Sequence, residues 1–231
     1  MKGVLIGLFL AGLGVLASAQ AQSFMGFHLL DLDGRPVKWS VLDNRRATVT
    51  YAYVTKKVGF ADARNCESLQ PFDSLLESSR IDRSAFRAEV RAAFDMWESI
   101  AEIDFREASD TATAKILIGA QYRPEGYAFA DVKYRSGDSE IREIERSLIC
   151  LNPTRTWKIG FDGNLKIYDV RYTMAHEIGH AIGLDHPGPT GQLMSHRYQE
   201  TFRSLQTGDI NGAIKIYGAR STKTSGIMET R

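Results

Sequence analysis

Three of the five histidines in this 231-residue chain fall within one eleven-residue segment, His176-Glu177-Ile178-Gly179-His180-Ala181-Ile182-Gly183-Leu184-Asp185-His186. His176 and His180 are four residues apart, a spacing that puts both imidazoles on one face of a helix, within reach of a common ion. Glu177, beside the first of them, is placed to hydrogen-bond a water on that ion. Gly183 lets the helix stop in a left-handed turn, and the chain beyond it returns His186 as a third nitrogen ligand. Three neutral imidazoles leave one position of a tetrahedral zinc open, which a catalytic site requires and a structural site does not. Zinc is the ion expected, because borderline nitrogen donors suit it. Two histidines in a bare HExxH are equally well read as solvated or core side chains. The glycine and third histidine at fixed spacing argue against that reading here.

Holding these groups in place requires a helix with a buried side. Val170, Met174, Ile178, Ala181 and Ile182 give the segment an apolar face at helical spacing. A second helix is expected over Ser84 to Ile100, with Phe86, Val90, Phe94, Trp97 and Ile100 on one face and Asp82 or Ser84 as its cap. Residues 47–55 are dense in β-branched and aromatic side chains and read as a strand. Shorter strands are expected at Ile103–Phe105, Ala114–Ala120 and Tyr127–Val132, and a polar stretch, Lys133 to Arg146, separates them from a strand at Leu148 to Leu151. Strand, helix, several strands, then helices is an α+β order within one chain.

The string from His176 to His186 resembles the HExxHxxGxxH signature of the metzincin clan of zinc endopeptidases. Leu193-Met194-Ser195 resembles the clan's Met-turn, whose methionine forms an apolar floor beneath the metal. Leu205 to Gly218 is similar to the C-terminal helix of matrixins. Thr50-Tyr51, Ala93-Phe94-Asp95-Met96-Trp97 and Ala114-Lys115-Ile116-Leu117-Ile118 echo their N-terminal strand, first helix and third strand. The resemblance spans about Trp39 to Gly218. It implies a metzincin-type catalytic domain at residues 35–218, a twisted, mostly parallel sheet with an active-site helix and a C-terminal helix.

Some positions depart from the matrixin pattern. Pro187 follows the third histidine, as in serralysins, where matrixins usually carry Ser. His196 stands two residues after Met194, where matrixins place Pro and where serralysins and astacins place a Tyr that approaches the zinc. His196 is therefore read either as a donor to the oxyanion or as a surface histidine on the specificity loop. Tyr198 matches a matrixin position in the wall of the main specificity pocket. Gln121 to Cys150 contains no histidine, so a matrixin-type second, structural zinc is not expected. Phe161-Asp162-Gly163-Asn164 resembles the family's acidic calcium loop, although a type I or I′ turn explains it equally well; calcium is the second candidate ion.

The resemblance implies a peptidase in which zinc lowers the pKa of its water from about 15.7 toward about 7 and polarises the carbonyl, while Glu177 accepts and relays the proton. The substrate, a protein or peptide, would add as a strand to the sheet edge near Gly126–Asp131. Two rival readings stand beside it. One is a zinc hydrolase of a non-protein amide such as cell wall, against which the Met-turn and C-terminal helix count. The other is a catalytically silent binding protein of the same fold, against which the intact Glu177 counts.

The N-terminus reads as a signal peptide over residues 1–19: Lys2, an apolar run from Val4 to Leu16, then Ala17-Ser18-Ala19 as a cleavage site. Residues 20–34 form an N-terminal segment, and residues 219–231 a polar, disordered tail. The chain is expected to be secreted or periplasmic, with no membrane association after cleavage, and monomeric. In an oxidising compartment two cysteines usually pair, so a Cys66–Cys150 disulfide is expected; two free buried thiols and a Cys66 thiolate that caps the metal are the alternatives. With 29 Lys+Arg against 28 Asp+Glu, nothing supports a nucleic-acid partner.

Overall fold

Alternation builds the first long strand: Ala47, Val49 and Tyr51 point into the core between Thr48 and Thr50, which meet solvent. This strand belongs to a computed structural model that describes residues 26–41 and 46–221. The expected signal segment at residues 1–19 and residues 222–231 of the expected tail lie outside the described residues.

Three short strands come first, β1 (His28–Leu29), β2 (Asp31–Leu32) and β3 (Arg35–Lys38). They are followed by β4 (Ala47–Tyr53), β5 (Val58–Gly59) and β6 (Ser68–Gln70). Helices α1 (Asp73–Ser79) and α2 (Arg83–Glu98) come next. The Asp82 carboxylate caps α2 by accepting the Ser84 and Ala85 N–H groups, and Phe86, Val90, Phe94 and Trp97 are buried on one face. Four strands follow: β7 (Ile103–Glu107), β8 (Ile116–Gln121), β9 (Ala128–Tyr134) and β10 (Arg142–Leu151). The last elements are β11 (Trp157–Lys158), β12 (Tyr168–Asp169), α3 (Val170–Ala181), β13 (Leu184–Asp185) and α4 (Thr207–Tyr217).

The main sheet runs in the order β2-β3-β10-β8-β4-β7. Its β3–β10, β10–β8, β8–β4 and β4–β7 pairs are parallel, while β9 lies antiparallel on β10. The expected α+β architecture with a mostly parallel sheet is present. Two indole groups tie α3 to its neighbours. Trp97 on α2 donates to the Ala175 carbonyl of α3 at 2.9 Å, and Trp39 donates to Ala181 at 2.9 Å. Both are fully buried, so the bonds satisfy polar atoms that water cannot reach.

The polar stretch Lys133 to Arg146 is not a separator. Its ends are paired β structure, with Lys133 and Tyr134 in β9 and residues 142–146 in β10. Its charges lie on the outer face, where Asp62 pairs with Lys133 and Arg146, while Ile144 is buried. From Gly26 onward the 20–34 segment pairs with later elements: β1 with β13, and the Leu30 N–H donates to the Gly183 carbonyl at 2.8 Å. At the other end, Ala219 bridges Ala101, Arg220 binds Asp104 at 2.6 Å, and the Ser221 N–H donates to Glu102 at 2.6 Å. The carboxylates of Glu102 and Asp104 thus hold the chain beyond Gly218.

Cys66 and Cys150 form a disulfide across 84 residues. Closing a loop that long stabilises by about 4 kcal/mol in the chain-entropy account. Both sulfurs are taken up in that bond, so neither is a thiolate that could cap a metal. No helix among the described residues is long and apolar enough to cross a membrane.

Candidate metal centre

Helix α3 is fixed by its cap before it presents any ligand. The Asp169 carboxylate accepts the Tyr172 N–H at 2.8 Å and two bonds from Arg203 at 2.9 and 2.8 Å. Arg203 also reaches Glu89 on α2 at 2.6 Å, and Arg171 binds the same carboxylate. Asp169 is fully buried, so these guanidinium contacts offset the cost of holding its charge away from water. The apolar face read from the sequence is completely buried, from Val170 through Met174 and Ile178 to Ala181 and Ile182.

Gly183 ends the helix region with φ +104°, in the left-handed region. A Cβ there would also run into the Val37 carbonyl oxygen of β3. Beyond this turn β13 delivers His186. The Nε2 atoms of His176, His180 and His186 converge, separated by 3.0, 3.1 and 3.2 Å. The Nδ1–H groups of His176 and His180 donate to the Leu193 and Leu184 carbonyls, each at 2.8 Å. Those bonds fix the tautomer and turn the Nε2 lone pairs inward. Nitrogens bound at about 2.0–2.1 Å to one tetrahedral zinc stand roughly this far apart, so the donor set fits zinc. Burial holds all three imidazoles below their ordinary pKa, His180 down to about 4, with the neighbouring rings adding to the effect. Neutral imidazole is the form that binds a metal.

Glu177 is buried beside this cluster. Burial pushes its carboxyl up to about 8, and the Asp131 carboxylate adds to the shift. Asp131 itself is held by the N–H groups of Arg64, Asn65 and Cys66, at 3.0, 2.8 and 2.7 Å. The three histidines, Glu177 and Asp131 face a cleft of about 940 Å³ bounded by α3, β9 and residues 195–198.

Met194 lies against α3, packed on Gly179. Asp209 of α4 accepts the Leu193 and Met194 N–H groups at 2.8 and 3.0 Å, and so holds the turn that also orients His176. A Cβ on Gly179 would collide with the Met194 sulfur and approach Trp97 to 3.0 Å. Gly179→Ala is therefore expected to push Met194 off the helix, costing about 2 kcal/mol by overpacking. Thermal unfolding should show a fall of about 4–8 °C, and a zinc titration should show weaker binding; an unchanged melting point would contradict this close packing.

His196 is exposed, with its ring centre 6.0 Å from that of His186. Tyr198 lines the cleft, stacked on Tyr168 with ring centres 4.1 Å apart. The expected calcium loop differs from a cation site in one respect: the Lys158 ammonium is ion-paired with Asp162 and Glu200. The residues there do not fit a bound calcium.

Three side chains that organise this cluster were given no such role from sequence. Asp169 had a signal, since an aspartate stood directly before the apolar periodicity. Asp209 had one too, because Gln206 and Asp209 form a capping box. Asp131 had none, because its partners lie on a loop far away in the chain.

Comparison with known proteins adds a family. A sequence model described as matrixin matches residues 72–218. The chain is similar to the hatching enzyme of Paracentrotus lividus, 28% identical over 182 residues that cover 73% of this chain and 28% of that protein. It is similar to metalloendoproteinase 1-MMP of Arabidopsis thaliana, 30% identical over 199 residues, 83% of this chain and 47% of that protein. Matrilysin of Mus musculus is 29% identical over 149 residues, 58% of this chain and 51% of that protein. The chain thus spans about half or less of the length of these relatives.

Proposed function

The chain belongs to the matrixin family, and from that premise we propose that it is an exported, zinc-dependent endopeptidase. One observation carries the reading: three imidazole Nε2 atoms converge beside a buried glutamate in the wall of an open cleft. His176, His180 and His186 would hold the ion. Zinc so held supplies Lewis acidity and brings the pKa of a water toward about 7.

The chain's own residues do the rest. Strand β9 offers its outer edge to an extended peptide, as sheet edges commonly do. Glu177 accepts a proton from the attacking water as the oxygen adds to the carbonyl carbon, and passes it to the amide nitrogen as the C–N bond breaks. Met194 and Asp209 keep His176 in register. Export is supported by the targeting pattern at residues 1–19 and by the disulfide, which persists in oxidising compartments.

His196 is assigned as a donor to the developing oxyanion, supported by its place beside His186 on the cleft wall. His196→Ala should lower kcat about tenfold or more with little change in KM, since such donors act in the transition state. Full activity in that variant would return His196 to the surface. The proposal as a whole is tested by hydrolysis of a quenched peptide library by the zinc-loaded mature chain. Cleavage at defined internal bonds is the expected result; a folded, zinc-replete protein that cuts none of them contradicts it.

A further inference from the structure

The loop on which calcium was expected is organised by a lysine. The Lys158 ammonium, at the end of β11, is ion-paired with Asp162 and Glu200 and donates to the Asn164 carbonyl at 3.0 Å. The Lys158 side chain is only 12% exposed and that of Glu200 only 6%. The carboxylates are aimed by the backbone: Asp162 accepts the Asn164 N–H at 2.9 Å, and Glu200 accepts the Asp162 and Gly163 N–H groups at 3.1 and 2.6 Å. Two carboxylates and a carbonyl, converging from the 158–164 loop and from Glu200 on a distant segment, are the donors a hard divalent cation takes. Here the ammonium stands among them.

From Glu200 the contacts continue into the cleft. Glu200 accepts the Tyr198 hydroxyl at 2.8 Å, and the same hydroxyl accepts the Asp169 N–H at 3.0 Å. The Tyr198 ring stacks on Tyr168, and Tyr168 on Tyr127 with ring centres 3.8 Å apart. All three rings line the cleft. Spacings this short leave no room between the rings for a substrate side chain, so the wall they form is closed.

We propose that Lys158 is a built-in cation that replaces calcium in this loop and, through Glu200, positions the stacked tyrosines that bound the specificity pocket. The first half stands on the loop geometry alone. The second rests on the endopeptidase reading. Lys158 touches no reacting atom and is a positioning residue.

Two measurements on the full zinc-loaded chain test it. In thermal unfolding with and without calcium chloride, the unaltered protein should melt at the same temperature in both. Lys158→Ala should melt about 5–10 °C lower and regain part of that loss on addition of calcium, because two carboxylates and a carbonyl then face open space. A calcium-dependent rise in the unaltered protein overturns the replacement, and that arm needs no variant to fold. The second measurement uses paired peptides that differ only in the size of the residue entering the pocket. Lys158→Ala should reduce the preference between them by about tenfold, with kcat on the preferred peptide changed less than about threefold. An unchanged preference overturns the positioning role. Were no peptide cleaved by either protein, the endopeptidase reading would fall while the calcium arm still decided Lys158.

Discussion

Glu177→Gln is expected to lower kcat/KM for peptide hydrolysis by about a thousandfold or more while the protein keeps its zinc. A positioned base contributes about 10²–10⁴ to such a reaction; Glu177 is the one carboxylate on α3, and Asp131 of β9, also in the cleft, is engaged by three backbone N–H groups. Glutamine keeps the volume and the polar tip, so the packing around α3 should not collapse. The melting temperature should therefore hold. Activity then falls while stability does not, which separates a chemical role from a folding role. The variant needs three readings: turnover, bound zinc per chain and thermal unfolding. Turnover near the unaltered level at full zinc content would remove Glu177 from the mechanism.

Stripping the metal is expected to abolish hydrolysis and to lower the melting temperature together. Without a cation, three Nε2 lone pairs face one another within 3.2 Å, and nothing on the chain compensates them. An ion present at about a thousand times its dissociation constant stabilises the folded state by about 4 kcal/mol, roughly 8–16 °C for a chain of this size. Chelation followed by dialysis should therefore leave an inactive, less stable protein that regains both properties with zinc. His186→Ala removes the one ligand outside α3 and should reproduce the stripped state without a chelator. Hydrolysis by protein shown to hold less than about one zinc in a hundred chains would contradict a role for the ion in the reaction.

The three-histidine cluster was legible because its information is local. His176, Glu177 and His180 lie on consecutive turns of one helix, and Gly183 with His186 completes a pattern that one window of sequence contains. Its buried face followed from periodicity, as did the cap of α2 at Asp82. What could not be read was assembled from distant segments. Asp131 depends on the backbone of residues 64–66, and the tyrosine wall brings Tyr127, Tyr168 and Tyr198 together from three separate elements. Lys158 was passed over because nothing within its own loop announces that its charge will meet Glu200. The stretch Lys133 to Arg146 misled by composition: charged side chains on the outer face of a hairpin look like a linker until the opposing strand and Asp62 are in view.

The pairing of β1 with β13 places residues 28–29 beside 184–185, next to the third histidine. During translation the first of these strands leaves the ribosome long before its partner exists, and it must wait, unpaired, for most of the chain. The turn beneath the ligands arrives later still, and Asp209, which holds that turn, later again. Contacts this distant in sequence form late in folding. A nascent chain that has already displayed His176, Glu177 and His180 therefore has the letters of the histidine cluster without its geometry.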